Sequence, residues 1–406
     1  MHILLIHQFL ATPNEAGGTR QFELAQHLIR KGHKITFICS TITYLTGKPS
    51  SRQKGKFLVR ETIDGINIIR TYTFPGLQES FKRRIISFLT FMMSSIIGGL
   101  SVGKTDVVIA SSPQIFVGIS GHLLSKIKRV PFLLEIRDLW PKFAIDIGVL
   151  KSQLIIKLSV SLEKYIYKKA DYFIINSPGF YDHLEKSGIE RKKIFLVPNG
   201  VDTKIFSPSD KHNWVRKELG LNEDFVVLYS GAHGLANSLK TVIESARLLQ
   251  CQSDIKIIFV GDGKEKRNLI QLRDKYKLNN VIFVDAQPKR KMPDYCNAAD
   301  VCLAILKKLD SFKTTYPNKL FDYMACGRPT ILAIDGVARE VLEKARAGEF
   351  VEPENPQQLA STILKFYNNR DLIKEYGINA RSYVEEHFDR EKIAEKFNNI
   401  LNEITK

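Results

Sequence analysis

The chain has 406 residues, of which 44% are hydrophobic and 25% charged, and its formal net charge is +17. This length suits two domains of about 200 residues each, and the composition is that of a globular protein rather than of a disordered chain. Five cysteines without a CxxC pair argue against a disulfide scaffold or a zinc site and favour a reducing cytoplasm. The positive charge leaves nucleic acid, an anionic membrane surface, phosphorylated substrates or a merely solvated lysine-rich surface open.

The first half of the chain alternates strand and helix patterns. The segment "MHILLIHQFL" lacks the charged n-region of a signal peptide and predicts a strand at its start. A helix follows a Gly-Gly loop, and later two apolar runs turn at Asp64-Gly65 in the manner of a hairpin. The predicted strands lie at residues 2–7, 33–40, 56–63, 66–73, 106–113, 131–138, 171–178 and 193–200. Buried strands alternating with helices predict an open α/β sheet that binds ligands at the carboxyl ends of its strands.

Residues 81–104 join a basic flank to a long uncharged run. Lys82, Arg83 and Arg84 precede the run from Ile85 to Gly103, and Lys104 closes it. The run approaches the length of a spanning helix, but Ser, Thr and Gly interrupt it. Two interpretations remain open. The helix lies in the cytoplasmic leaflet with its basic flank on anionic headgroups, or it packs inside the domain.

The second half repeats the alternation after a segment rich in Pro, Gly, Ser and Asp. That segment, residues 198–211, predicts a linker between domains. Further strands are predicted at residues 225–231, 255–263, 280–287, 300–306, 329–334 and 348–354, and the last stretch is helical in pattern. We therefore expect an N-terminal domain at residues 1–200, a C-terminal domain at 201–385 and a returning helix at 386–406. Two doubly wound domains facing each other would bind a ligand in the cleft between them.

Three junctions between a loop and a helix carry glycines that let the backbone approach a ligand closely. The candidate residues are Gly17, Gly18 and Arg20 at the first junction, Gly231, His233 and Gly234 at the second, and Gly261 and Lys264 at the third. The first junction lacks the full GxGxxG fingerprint of dinucleotide binding. A tight turn between strand and helix is the other interpretation of the first.

A fourth junction lies in "YPNKLFDYMACGRPTI", where a short helix is predicted to begin near Pro317. Its first residues, Asn318, Lys319 and Leu320, offer backbone N–H groups and the positive end of the helix dipole to an anion. Lys319 would add a full charge, and the Asp322 carboxylate one turn on could accept from hydroxyls. The pattern favours a ligand carrying both phosphate and sugar hydroxyls, and an ordinary capped helix is the alternative.

Three ionisable residues, Glu135, Arg137 and Asp138, stand together in "EIRDLWP" at the end of a predicted buried strand. Catalytic groups are often placed at such a carboxyl end, although a structural salt-bridged cluster would look the same. The sequence has no HExxH, GxSxG or Walker motif and no cluster at metal-ligand spacing. We therefore expect no protein-bound catalytic metal.

Together these motifs resemble the retaining glycosyltransferases of the GT-B fold, family GT4, over nearly the whole chain. The segment "KIFLVPNGVDTKIFSP" is similar to the interdomain signature of that family, and "LFDYMACGRPTI" to its "EAMACGxPVI" helix. A narrower resemblance, carried by "EIRDLWP", "INSPGF" and "GLANSLKTVIESA", is to the bacterial branch that builds O-antigen or capsular repeat units, including L-fucosamine transferases.

The resemblance implies roles for residues of this chain. Gly17 and Gly18 match the loop that approaches the donor diphosphate or the acceptor. Asp322 falls where the second glutamate of the E-x7-E motif holds the donor ribose, while Thr314 takes the place of the first. The basic pair expected after the Gly231 strand is not evident, and Lys319 would supply the missing charge.

The resemblance also implies an activity and a location. The enzyme would transfer a sugar such as L-FucNAc from a UDP-sugar donor to an undecaprenyl-diphosphate-linked saccharide. It would be cytoplasmic and peripherally associated with the anionic inner-membrane surface. Asp138 or Glu135 would orient or deprotonate the acceptor hydroxyl, unless the donor's own phosphate serves as the base. A UDP-sugar 2-epimerase of the same fold is one alternative, and a nucleic-acid-binding protein, for which no recognition motif is visible, is another.

Overall fold

The apolar runs predicted as buried strands form the central sheets of two units. The computed structural model describes residues 1–44, 47–49, 55–77 and 79–405. Met1–Ala11, Thr19–Pro198 and Ile393–Lys406 make up the first unit, and Thr12–Gly18 with Asn199–Lys392 the second. Each unit is a mainly parallel sheet with helices on both faces, so the expected pair of doubly wound α/β domains is confirmed.

The first unit is built on a sheet with the order β3-β4-β2-β1-β5-β6-β7-β8. Neighbouring strands are parallel except β3, which forms the predicted hairpin with β4. The strands are β1 (His2–Ile6), β2 (Lys34–Ser40), β3 (Leu58–Ile63), β4 (Ile66–Thr71), β5 (Val107–Ser111), β6 (Phe132–Ile136), β7 (Tyr172–Ile175) and β8 (Ile194–Leu196). The helices are α1 (Arg20–Arg30), α2 (Phe81–Leu100), α3 (Phe116–Lys128), α4 (Lys142–Asp146), α5 (Gln153–Lys169) and α6 (Tyr181–Lys186).

The second unit has a wholly parallel sheet in the order β11-β10-β9-β12-β13-β14. Its strands are β9 (Phe225–Ser230), β10 (Ile255–Val260), β11 (Val281–Val284), β12 (Val301–Ile305), β13 (Thr330–Ala333) and β14 (Gly348–Phe350). Its helices are α7 (Trp214–Leu219), α8 (Leu239–Leu248), α9 (Lys266–Lys275), α10 (Met292–Ala298), α11 (Asn318–Ala325), α12 (Val337–Ala345), α13 (Pro356–Asn368) and α14 (Asp371–His387). Every residue of β9 and β12 is buried, as expected of central parallel strands.

The last helix, α15 (Arg390–Ile404), contributes to the core of the first unit. Phe397 and Leu401 are buried in the same cluster as Ile3 and Phe22 from β1 and α1. The opposite face of that sheet is covered by α2, α3 and α5, whose residues Phe91, Leu124 and Ile166 belong to a separate core cluster. The helices of the first unit therefore lie in two layers, one on each side of the sheet.

Candidate active site

Lys319, the second residue of α11, reaches the carboxyl end of β9. Its Nζ lies 3.7 Å from the centroid of the Tyr229 ring, and a Cβ built on Gly231 would stand 2.9 Å from the same atom. Nζ is buried, and no hydrogen-bond acceptor for it occurs within the described residues. Burial lowers the pKa of Lys319 to about 7, against the raising effect of Asp322. A buried ammonium without an acceptor at the end of a parallel strand suits an anionic ligand.

The neighbours of Lys319 at the start of α11 differ in what they offer a ligand. Leu320 is fully buried, and its N–H already donates to the Pro317 carbonyl at 3.1 Å. The Oδ1 atom of Asn318 is buried and has no donor in the described part of the chain. Asn318 and Lys319 are therefore better placed than Leu320 to contact a ligand.

Asp322 lies one turn further along α11 and is paired with a lysine that the sequence did not single out. Lys289 Nζ donates to Asp322 Oδ2 at 2.6 Å, and both side chains are largely buried. Lys289 begins a short 3-10 helix, Lys289–Lys291, in the loop after β11. A carboxylate held in this way at the edge of the site is fixed in position to accept from ligand hydroxyls.

The glycine loop at residues 12–18 is attached to the same 3-10 helix. The N–H groups of Lys289 and Arg290 donate to the carbonyls of Glu15 and Pro13 at 3.1 and 3.2 Å. Gly17 and Gly18 are exposed in this loop. Because Lys289 also holds Asp322, one lysine connects two of the predicted site elements.

The glycines after β9 and β10 are explained by the packing of the two loops against each other. Gly231 and Gly261 have φ of +133° and +152°, and a Cβ on Gly261 would overlap the Gly231 carbonyl oxygen. Only glycine fits such an approach. Lys266 donates to the Gly261 carbonyl at 3.0 Å and to Asp285 Oδ1 at 2.5 Å, whereas Lys264 is exposed.

His233 belongs to the loop after β9 and is fully buried beside the Tyr229, Phe259 and Phe283 rings. Burial, helped by the charges of Lys266 and Lys319, lowers the pKa of His233 to about 4, so the ring is neutral at pH 7. Its two ring nitrogens have no hydrogen-bond partner within the described residues. Gly234, the next residue, precedes the short 3-10 helix Leu235–Asn237.

In the first unit, Glu135 forms a buried ion pair with Arg20. Arg20 Nη1 and Gln21 Nε2 donate to the two Glu135 carboxylate oxygens, and Arg20 Nη2 donates to the Val197 carbonyl at 2.7 Å. Burial would raise the pKa of Glu135, but Arg20 and Arg137 outweigh it and the pKa is lowered. These contacts occupy the guanidinium group that was expected beside a ligand phosphate, and they favour a structural role for both residues.

Asp138 has different surroundings at the carboxyl end of the same strand. Burial raises the pKa of Asp138 to about 6, against the attraction of Arg137. Arg137 donates from Nη1 to His7 Nε2 at 3.4 Å and from its backbone N–H to Ser112 Oγ at 2.9 Å. Burial and the nearby Arg137 lower the pKa of His7 to about 3, so this ring is neutral and can accept. A carboxyl group that titrates close to neutrality is better suited than Glu135 to exchange a proton with a hydroxyl.

A cavity of about 820 Å³ lies at the other end of the second sheet. It is lined by residues that precede β9, β12 and β13, such as Glu223, Asp300 and Arg328, and by the α14 residues Ile373 and Gly377. None of the predicted site residues lines it. The candidate site is therefore defined by polar groups at carboxyl strand ends and not by this cavity.

Sequence reasoning missed three residues of these clusters, Lys266, Lys289 and His7. Lys289 stands in the basic run "PKRK" directly after a predicted strand, and that position was a usable signal. Its partner Asp322 lies 33 residues away, and no local pattern could have paired the two.

Two α/β units built on mainly parallel sheets, with polar groups at the carboxyl ends of their strands, are the architecture of the GT-B fold. The model "Glycosyltransferase Family 4" matches residues 17–205, and the model "Glycosyl transferases group 1" matches residues 210–383. The two matches together cover most of both units. The chain belongs to the group 1 glycosyltransferases of the GT4-like family and is an enzyme.

Comparison with individual proteins agrees. WcaI of Escherichia coli K12, named for glycosyl transfer in colanic acid biosynthesis, is 22% identical over 98% of both chains. Sucrose-phosphate synthase from Thermosynechococcus elongatus has a TM-score of 0.79 at 19% identity, covering 99% of this chain and 98% of that one. HepE of Anabaena, solved in complex with UDP, has a TM-score of 0.73 at 19% identity, covering 99% and 100%. At these identities the solved structures establish the shared fold alone.

Proposed function

We propose that this enzyme is a retaining glycosyltransferase of bacterial surface-polysaccharide synthesis that uses a UDP-sugar donor. The sugar would be an N-acetylated amino sugar such as L-FucNAc, and the acceptor an undecaprenyl-diphosphate-linked saccharide of O-antigen or capsule. The name of WcaI supports the polysaccharide setting, and the UDP bound to HepE supports the donor class. The matches to glycosyltransferase models do not favour the 2-epimerase.

The observation that carries the proposal is the buried Lys319 Nζ at the end of β9. It lacks an acceptor within the described residues, and Asp322 lies one turn further along the helix. A donor diphosphate placed against Lys319 would give the ammonium its missing partner. The ribose hydroxyls would then lie within reach of a carboxylate already positioned by Lys289.

The chemistry requires little from the protein beyond position and charge. The bond between the sugar C1 and the diphosphate oxygen breaks, and a bond forms between C1 and the acceptor hydroxyl oxygen. UDP leaves with the bonding electrons, and its growing negative charge would be stabilised by Lys319. The hydroxyl proton would pass to a donor phosphate oxygen, so the transfer needs no basic side chain of the protein.

We also propose that the transfer needs no protein-bound metal. In residues 1–44, 47–49, 55–77 and 79–405, no three His, Cys, Asp or Glu side chains come together in a cluster that could hold an ion. The charge of the leaving diphosphate would be met by lysines instead.

The first test is a thermal-shift screen of the purified protein with UDP, GDP, ADP and CMP. We expect a rise in melting temperature that is selective for UDP, because a ligand bound only by the folded state stabilises it. Lys319→Ala and Asp322→Ala should each abolish most of the rise. The rise should persist in EDTA.

Lys374→Ala is the matched control, since this exposed lysine of the second unit lies on α14. It should keep the full UDP response. No response to any nucleotide from folded wild-type protein would overturn the proposed donor site. A UDP response that persists in both Lys319→Ala and Asp322→Ala would mean that UDP binds at another site.

A further inference from the structure

The helix α2 differs from an ordinary surface helix because its inward side is polar and its outward side is apolar. The side that faces the sheet carries mainly small and hydroxyl residues, namely Ser87, Phe91, Ser94, Ser95, Gly98 and Gly99. Ser95 donates to Ser120 Oγ of α3 at 2.9 Å, and Ser94 donates to Thr71 Oγ1 of β4 at 3.1 Å. Phe91 is the only large apolar residue among these six, so most of the apolar residues of α2 are not buried on its inward side.

The apolar residues of α2 point outward instead. Ile86, Leu89, Met93, Ile97 and Leu100 recur at spacings of three and four residues and are between 39% and 58% exposed. Such spacing places them in one stripe along the helix. A continuous stripe of this kind, unlike scattered surface leucines, indicates a surface that meets an apolar partner.

Two neighbouring helices extend the same surface. The helix α3 packs on α2, where Gly99 meets Leu124, and on α5, where Gly118 meets Ile166. Outward from that layer, large apolar side chains are again exposed, namely Leu123 and Ile127 on α3 and Leu154, Leu158 and Tyr165 on α5. We call the outward side of α2, α3 and α5 the three-helix face.

The three-helix face is basic as well as apolar. The helices α2 and α3 contain no acidic residue, and α5 contains one, Glu163, which is 6% exposed and bonded to Tyr167 and His183. The exposed basic side chains are Lys82 and Arg83 on α2, Lys126 on α3, and Lys157, Lys164, Lys168 and Lys169 on α5. Arg84 and Lys128 are half-buried and donate to backbone carbonyls. Glu79, just before α2, forms an ion pair with Arg83 at 2.8 Å. It does not neutralise the other basic side chains of this face.

We infer that the three-helix face docks on an anionic lipid bilayer, with the α2 stripe inserted among the acyl chains and the lysines on the headgroups. Charge complementarity selects this occupant, because a purely apolar partner gives no reason for a rim in which exposed basic residues far outnumber the single exposed acid, Glu79. The inference deepens the proposed function and rests on it in one respect, since it brings the enzyme to the membrane that holds the proposed acceptor.

The same contacts argue against α2 crossing the bilayer. By length and composition it could span a membrane, and it is the one such helix found among the described residues. Spanning would expose Ser94, Ser95 and their bonds to lipid and would remove Phe91 from the core. Docking in the plane of the interface keeps the inward side packed.

The test is flotation of the whole protein, without nucleotide, on vesicles of phosphatidylcholine with and without phosphatidylglycerol. We expect binding that depends on phosphatidylglycerol and weakens as salt rises. Met93→Glu with Ile97→Glu should lower partitioning by at least about tenfold. Leu154→Glu with Leu158→Glu should also lower it, because α5 belongs to the docking face, and Lys82→Ser with Arg83→Ser should lower it by about tenfold or more.

Matched controls come from the second unit, where Leu248 and Ile378 are 52% and 62% exposed. Leu248→Glu with Ile378→Glu should float like wild type, and so should Lys240→Ser with Lys374→Ser. Unchanged melting temperatures would show that the variants are folded. If the variant with Met93→Glu and Ile97→Glu floats as well as the wild-type protein, the inference is overturned.

Other results would also overturn it. Protein that resists carbonate extraction from membranes would mean that α2 spans. A wild-type dimer that the Met93 and Ile97 substitutions dissociate, with no vesicle binding, would mean that a second copy covers the face. The proposed function fails separately, because vesicle binding without any UDP response removes the donor site and leaves the docking surface in place.

Discussion

Lys319 is the residue on which the proposed donor site depends most, because its side chain gains or loses a proton near neutral pH. In an unfolded chain a lysine titrates near 10.4, whereas burial lowers the pKa of Lys319 to about 7. Between these values the unfolded state binds more protons, so Lys319 makes the free energy of unfolding rise with pH over that window. A bound diphosphate would favour the charged form and raise the pKa again.

We therefore predict that UDP binding takes up a proton above neutral pH. The affinity for UDP should fall by up to about tenfold per pH unit between about pH 7.5 and 9.5, and calorimetry in buffers of different ionisation enthalpy should detect the uptake. Lys319→Arg stays charged and should bind with little pH dependence if its bulkier head is accommodated beside Gly231. Wild-type affinity that is flat over this range would contradict a neutral Lys319 in the free enzyme.

At the residue scale the sequence indicated where polar groups stand but not which ones pair. Lys319 and Asp322 were found because a helix start and a one-turn spacing are local patterns. The pairing of Arg20 with Glu135, 115 residues apart, depends on tertiary packing and left Arg20 inside the fold.

At the scale of elements, the loops after β9 and β10 pack directly on each other because glycine allows their backbones to touch. A side chain at Gly261 meets the Gly231 carbonyl oxygen, and φ of +152° adds backbone strain for any other residue. Gly103 has open space around its Cβ position and serves as a matched control.

We predict that Gly261→Ala destabilises the protein by about 3 kcal/mol or more, while Gly103→Ala changes the free energy of unfolding by less than about 0.5 kcal/mol. Denaturant unfolding followed by circular dichroism is the measurement. Equal effects of the two substitutions would mean that the loops can separate without cost. The UDP-dependent shift of a surviving Gly261→Ala fraction should also be reduced.

The strands were predictable because apolar runs bounded by Gly, Pro and Asp are direct signals of buried parallel strands. Every predicted strand segment contains a strand of the structure, and the hairpin at Asp64-Gly65 is confirmed. The bounds were less accurate, since β8 (Ile194–Leu196) and β14 (Gly348–Phe350) are much shorter than the predicted 193–200 and 348–354. The orientation of α2 was not predictable in this way. Its sequence shows an apolar helix, and burying the apolar side is the default expectation, but Gly99 and Ser95 make the small side fit closely against α3.

At the scale of the whole molecule, α15 contributes to a core whose other residues lie between Ile3 and Val197, in the first half of the chain. Leu401 is fully buried with Ile3 and Phe22 in the first unit. Shortening the Leu401 side chain would leave a cavity in this core. The stability of the second unit should stay unchanged.

We predict that Leu401→Ala costs about 2–5 kcal/mol, and that hydrogen exchange accelerates in β1 and β2 but not in β9 and β12. Ile378→Ala, at an exposed position of α14, should change stability by less than about 0.5 kcal/mol. Faster exchange in β9 after Leu401→Ala would mean that the units unfold together.

The contribution of α15 has a consequence for how the protein is made. The ribosome synthesises residues 393–406 after the entire Asn199–Lys392 segment. At ordinary elongation rates of about 5–20 residues per second, the face of the first sheet that receives α15 waits uncovered for roughly 10–40 s. During synthesis the nascent chain therefore presents Ile3, Leu5 and Phe22 to the chaperones that bind apolar surface, and the first unit completes its core after the second has already been translated.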